Sequence, residues 1–178
     1  VIDFDKGYDL IQTMGTLTQK HGSGGQIIYP IINDEWQIDI EKKELVLKEI
    51  ERSDSFISIC LGGYIVIGGD QNSLDRLLEK LPVNDKYPFQ IPFHSAFHTS
   101  LLSGVVSIAQ SSLNSNIFNK PSIPLVDGRG NIWSPWSTNK SELYNYTLDH
   151  QIIKPYNFSS SIEVALKEFC PDNIILLG

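Results

Sequence analysis

Between Gln26 and Phe93 the chain alternates two periodicities in an order that few folds accept. Gln26 to Ile32 is β-branched and apolar and reads as a strand. After the turn-like Asn33-Asp34-Glu35, the segment Ile40 to Glu51 carries helical charge patterning, with Asp39 as its expected N-cap. Phe56 to Leu61 and Tyr64 to Ile67 are strand-like runs joined by Gly62-Gly63, whose access to positive φ suits a tight hairpin. A helix is predicted from about Gln71 to Leu81, because Leu74, Leu77, Leu78 and Leu81 share one stripe and Asp70 or Asn72 can cap it. Pro82, Pro88 and Pro92 then bound an extended segment, Phe89 to Phe93. The order β-α-β-β-α-β is that of a ferredoxin-like unit, an antiparallel sheet covered on one face by two helices.

The flanks do not belong to that unit. From Asp5 to about Lys20, Tyr8, Ile11, Met14 and Leu17 recur at helical spacing, Asp3 or Asp5 can cap the start, and His21-Gly22-Ser23-Gly24-Gly25 stops the helix. Ser100 opens another helix carrying Leu101, Leu102, Val105, Val106 and Ala109. Ile123 to Asp127, Gly130 to Trp133, helices near Ser141 to Leu148 and Ser160 to Phe169, and Ile174 to Leu177 read as strands alternating with helices, hence a parallel α/β layer. The chain opens on Val1-Ile2-Asp3-Phe4, at the threshold of a helix, and stops on an apolar run, so it is read as a fragment.

Composition narrows the functional classes. With 178 residues, 41% hydrophobic and 20% charged, the chain can bury about 70% of its unfolded surface, so neither metal nor disulfide is needed for a core. Cys60 and Cys170 stand singly without metal-ligand spacing, and a reducing cytoplasm is the expected location. No apolar run reaches membrane-spanning length and no basic leader precedes one, so no membrane partner is expected. A formal charge of -7, with no basic cluster longer than Lys42-Lys43, argues against nucleic acid as a partner.

Of the histidines at 21, 94, 98 and 150, two lie in Ile91-Pro92-Phe93-His94-Ser95-Ala96-Phe97-His98-Thr99, between a strand end and a helix start. Such a position aims an imidazole as a general base needs. From the pattern alone the alternative, that His98 caps the following helix or fills a polar gap, is the favoured reading. His94 and His98 are four apart, but Pro92 opposes a helix there and no further ligand is near, so no metal is expected.

These residues resemble the active-site histidine segment of malonyl-CoA:acyl-carrier-protein transacylases and polyketide synthase acyltransferase domains, which read Leu-Pro-Val-Ser-x-x-x-His or His-Ala-Phe-His-Ser-Pro. Ile91-Pro92 takes the Leu-Pro place and Ala96-Phe97-His98-Thr99 the Ala-Phe-His-Ser place, which selects His98. Other stretches resemble the family in its own order. Phe4 to Ile11 is similar to the helix after the nucleophile region, and Gly63-Tyr64-Ile65-Val66-Ile67-Gly68-Gly69 to Gly-Gln-Ile-Val-Ile-Ala-Gly. Pro124-Leu125-Val126-Asp127 is similar to Pro-Val-Val-Asn, and Gln151 to Phe158 to Gln-Leu-x-x-Pro-Val-x-Trp. Leu176-Leu177-Gly178 is similar to the start of Val-Gly-Pro-Gly.

The resemblance implies an α/β fold: a partial α/β-hydrolase-like core made by residues 1–25 and 94–178, with residues 26–93 as an inserted ferredoxin-like subdomain. It implies an acyltransferase that moves malonyl, or a similar acyl group, from a coenzyme A thioester to the phosphopantetheine thiol of an acyl carrier protein by a Ser-His ping-pong route. No cofactor beyond these substrates is expected. His98 would be the base, and the backbone carbonyl of Gln151 would hold its other nitrogen; the alternative for Gln151 is a surface residue before Pro155. Phe97 and His94 are the expected substrate-binding residues: Phe97 narrows the acyl pocket in the malonyl-selecting manner, and His94 stands where the family has a small polar residue. The family's Gly-His-Ser-x-Gly nucleophile, its carboxylate-binding arginine and its Gln-Gly oxyanion segment have no counterpart, and Gly22-Ser23-Gly24 is only superficially similar to the first. They are expected upstream of Val1, leaving the chain inactive alone. An acyl hydrolase of the same family, and a non-catalytic scaffold or carrier-binding module, remain the other readings. Trp133 and Trp136 are either a docking surface or packing under a loop.

Overall fold

A computed structural model describes residues 1–177, which form a mixed α/β fold. In chain order the elements are α1 (Phe4–His21), β1 (Gly25–Pro30), α2 (Ile40–Arg52), β2 (Phe56–Cys60), β3 (Tyr64–Gly69), α3 (Gln71–Lys80) and β4 (Phe89–Gln90). A 3-10 turn at Ser100–Leu102 leads into α4 (Ser103–Ser112), followed by β5 (Leu125–Val126), β6 (Ile132–Trp133) and α5 (Lys140–Asn145). A π-turn at Tyr146–His150 continues into α6 (Gln151–Ile153), β7 (Tyr156–Asn157) and α7 (Phe158–Phe169).

Local chemistry sets the boundaries of the first half. α2 begins where Asp39 Oδ1 accepts from the Lys42 N–H at 3.0 Å, and α3 where Asp70 Oδ1 accepts from the Ser73 N–H at 2.8 Å. The β2–β3 hairpin closes through Gly62 at φ +64°, with the Leu61 N–H donating to the Tyr64 carbonyl at 2.9 Å. β1 to β4 form antiparallel neighbours in the order β4-β1-β3-β2. One face of this sheet presents Ile27, Tyr29, Ile65 and Ile67, with Ile31 just after β1, to Val46 and Ile50 of α2, to Leu74 and Leu77 of α3 and to Leu81 at the C-cap of α3. Leu74 and Leu77 are fully buried, each contributing up to about 2–3 kcal/mol.

The sheet does not end with residue 93. β7 adds in parallel to the outer edge of β2, through Ile59 with Tyr156 and Cys60 with Asn157, so the C-terminal part shares the same ladder.

Four expectations change. On α1 the packing face is Leu10, Met14 and Leu17, whereas Tyr8 and Ile11 are 62% and 70% exposed: the helix carries a second apolar stripe, Phe4-Tyr8-Ile11, on its outer side. The extended segment after Pro88 is a strand only at Phe89–Gln90, because Phe93 turns into left-handed backbone at φ +56°. β5 and β6 pair antiparallel, as a hairpin rather than a parallel layer. Asp127 causes this: its carboxylate accepts from the N–H groups of Arg129 at 2.8 Å and Asn131 at 3.1 Å, and Gly130 takes φ +78° to reverse the chain. A parallel pair needs a far longer crossover than these few residues supply. Finally, Ile174 to Leu177 form no strand and are well exposed. Of the similarity at 176–178, Gly178 lies outside the described residues.

Candidate active site

The backbone from Ala96 to Thr99 lies on the sheet face opposite α2 and α3. There β3 carries Gly68, at which a Cβ would come within 2.7 Å of Thr99 Cγ2 and 3.6 Å of Ala96 Cβ, so only glycine lets the turn approach. The Ala96 N–H donates to the Ser23 carbonyl at 2.9 Å, and Thr99 Oγ1 donates to the Ala96 carbonyl at 2.7 Å. Thr99 also supplies the side-chain cap of the 3-10 turn, so His98 is not the helix cap.

His98 sits at φ +59°, a left-handed conformation uncommon outside glycine that costs about 1 kcal/mol or more and must be held by its surroundings. Two carbonyls of α6 hold it. Its backbone N–H donates to Ile152 O at 2.9 Å, and its ring Nδ1 is 2.5 Å from Gln151 O. The sequence explains why Gln151 O is free. In a continuing helix that oxygen would accept from the N–H of residue 155, but residue 155 is proline and has none. A carbonyl oxygen only accepts, so Nδ1 carries the proton and Nε2 keeps its lone pair. The ring is half-buried, flanked by Phe97 at 6.4 Å and Tyr156 at 5.7 Å between centroids. Burial pushes the His98 pKa below its ordinary value of 6.5, and the bond to Gln151 opposes this less strongly. The arrangement leaves Nε2 as the acceptor nitrogen of the neutral ring, which is what proton abstraction requires.

His94 Nδ1 lies 2.5 Å from Gln26 Oε1, and its ring meets the edge of Phe97 at 5.3 Å. His94 is exposed, whereas Phe97 is half-buried and packs beside Leu102, Val105 and Ile152. Both line an open groove of about 930 Å³ with Gly22, Gly25, Gln90 and Pro92. The structure therefore brings His98, Gln151, Phe97 and His94 into one region through hydrogen bonds and ring contacts. Ser23 donates its hydroxyl to Leu101 O at 3.0 Å and serves the loop. Trp133 is buried and donates to Asp127 Oδ2 at 3.0 Å, so it packs under the β5–β6 turn, while Trp136 is exposed. Sequence reasoning passed over Gln26, Ser58 and Tyr156. The available signal was a lone polar residue inside each of two apolar strands, Gly25-Gln26-Ile27-Ile28 and Ile57-Ser58-Ile59.

A second cleft, about 600 Å³, lies beside Arg129, Trp133, Tyr146 and His150. Burial, reinforced by the Arg129 charge, lowers the pKa of His150 as well. For both imidazoles the folded form is harder to protonate than a free one, so between the two values the unfolded chain binds more protons. Their contribution to stability is thus full above pH 6.5 and is lost as pH falls below it. Urea midpoints are expected to stay level from neutrality down to that value and decline beyond it; a rise on acidification would contradict the assignment.

Several known proteins resemble this chain, although no protein-family model matches it. The crystal structure of MCAT from Streptococcus pneumoniae superposes with a TM-score of 0.72 at 22% identity, covering 99% of this chain and 56% of that one. Malonyl-CoA:ACP transacylase from Synechocystis sp. PCC 6803 gives 0.74 at 14%, covering 95% and 53%. PlMCAT:AntF, a type II PKS acyl-carrier protein in complex with its malonyl-transacylase, gives 0.73 at 17%, also covering 95% and 53%. Among curated proteins, polyketide biosynthesis acyltransferase homolog PksD of Bacillus subtilis (strain 168) is 32% identical over 74 residues, which is 42% of this chain and 23% of PksD. The chain thus spans about half the length of these solved structures and under a quarter of the curated relative. These findings support the resemblance read from the sequence, and the fold is the one the malonyl-CoA:ACP transacylases share.

Proposed function

We propose that this chain, with the mixed α/β fold of the malonyl-CoA:acyl-carrier-protein transacylases, is the histidine-bearing part of an acyltransferase acting on a carrier protein. Malonyl or a similar acyl group passes from coenzyme A to a serine, and from that serine to the phosphopantetheine thiol of the carrier. His98 Nε2 takes the serine proton as the hydroxyl attacks the thioester carbonyl, and returns a proton to the departing thiolate. In the second half the same nitrogen takes the proton of the carrier thiol and gives it back to the serine oxygen. The serine belongs to a Gly-His-Ser-x-Gly segment, which this sequence does not contain. Residues 26–93 serve as the ferredoxin-like subdomain, and Phe97 and His94 contact the substrate in the groove beside them.

The observation that carries this reading is the seat of His98 Nδ1 on Gln151 O, created by Pro155 and leaving Nε2 as the free base. The test is to mix the full-length gene product with malonyl-CoA and a pantetheinylated carrier and to weigh the carrier by mass spectrometry. A carrier heavier by one malonyl group is the expected result. Free malonate alone identifies a hydrolase, and neither product identifies a non-catalytic module; both overturn the transferase reading.

A further inference from the structure

Beneath the Ala96–Thr99 turn, the otherwise apolar sheet carries a polar row. Gln26 on β1 is 1% exposed and Ser58 on β2 is wholly buried. The strands that hold them are not neighbours, since β3 runs between them. Gln26 nevertheless donates from Nε2 to Ser58 Oγ at 2.6 Å. The contact is open because Gln26 pairs in register with Gly68, the β3 residue that has no side chain to intervene. Ser58 sits where the β2–β3 register shifts between Ile57 and Ile59, a bulge that re-aims a side chain.

Both groups then converge on one oxygen. The Phe97 carbonyl accepts from Ser58 Oγ at 2.7 Å and from Gln26 Nε2 at 3.2 Å. Because that oxygen only accepts, the Gln26 amide nitrogen must face it, which leaves Oε1 directed at His94. Oε1 also only accepts, so in the neutral ring His94 Nδ1 carries the proton and Nε2 is left bare. One buried amide thus fixes the peptide that leads into the left-handed His98 and sets the tautomer of a second imidazole.

We propose that Gln26, reaching Ser58 over Gly68, is a positioning residue for both His98 and His94. It holds the Phe97 carbonyl so that the His98 backbone keeps its left-handed turn, and it holds His94 as the Nδ1–H tautomer. That the positioned imidazole at 98 serves as a base rests on the acyl-transfer reading; the hydrogen-bond network does not.

Long-range ¹⁵N NMR of the histidine rings in the full chain, from about pH 5 to about pH 8, tests this without any substrate. In the unaltered protein the neutral form of His94 shows Nδ1 protonated and Nε2 bare. In Gln26→Met, close in length but unable to hydrogen-bond, His94 becomes a mixture of tautomers and the His98 midpoint moves up toward 6.5 as the turn loosens. Ser58→Ala removes one donor to Phe97 O and shifts the His98 signals while leaving the His94 tautomer in place. Gln26→Glu puts a carboxylate beside His94 and raises its midpoint by about one unit or more. This variant and Ser58→Ala decide the matter if Gln26→Met does not fold. An unchanged His94 tautomer in Gln26→Met, an unchanged His94 midpoint in Gln26→Glu, or His98 signals indifferent to Ser58→Ala overturns the proposal. Failure of carrier loading with these couplings intact counts against the function alone, and loading with the couplings absent counts against the network alone.

Discussion

In the full-length protein, His98→Ala is expected to slow carrier loading by roughly 10²- to 10⁴-fold, the usual contribution of a positioned general base. His94→Ala is expected to cost much less, because its ring stands in the groove and its Nδ1 is tied to Gln26 rather than to the carbonyl of α6. Time courses of malonyl-carrier formation by mass spectrometry measure both. Alanine inherits the φ of +59° and breaks the link to Gln151, so circular dichroism should accompany the rates to separate lost chemistry from lost structure. Should His94→Ala prove the more damaging change, the alignment that selects His98 is displaced by four positions.

The second large effect concerns stability. Asp127 is buried, and its carboxylate gathers the Arg129 and Asn131 N–H groups, the Arg129 guanidinium at 2.6 Å and the Trp133 indole N–H at 3.0 Å. Asp127→Ala leaves that indole donor buried without a partner and the turn without its brace. Removing one member of a fully buried pair costs about 3–5 kcal/mol. Here the guanidinium side chain remains 39% exposed and stacks 4.4 Å over the Tyr146 ring, so a loss of about 2–3 kcal/mol is expected, or roughly 5–10 °C in Tm. Calorimetry of the variant measures it. A Tm within a degree of the unaltered protein would mean that the β5–β6 turn closes without the carboxylate.

How much of the site could be read in advance differs from residue to residue. Pro155 is visible four positions after Gln151, and its missing N–H already marks a carbonyl in want of a donor. Nothing local says which donor arrives, because His98 lies 53 residues away along the chain. Gln26 and Ser58 are visible as polar intruders in apolar strands. Their contact depends on a bulge in β2, on β3 lying between them and on a glycine at one point of its register, and none of these is a property of either segment alone. The β5–β6 hairpin shows the opposite failure. Two short apolar runs suit a parallel layer by propensity, yet the Asp127 side chain closes a turn between them that a period count does not weigh.

Short-range order was therefore determined by sequence: α2 and α3 with their Asp39 and Asp70 caps, the Gly62-Gly63 hairpin and the succession of elements from β1 to β4, because caps and periodicities act within a few residues. Tertiary structure alone decided which orphan groups meet, which stripe of α1 packs and that β7 extends the sheet. The reason is that a buried polar atom must find a partner wherever the folded chain provides one, and that partner is chosen by distance in space rather than along the sequence.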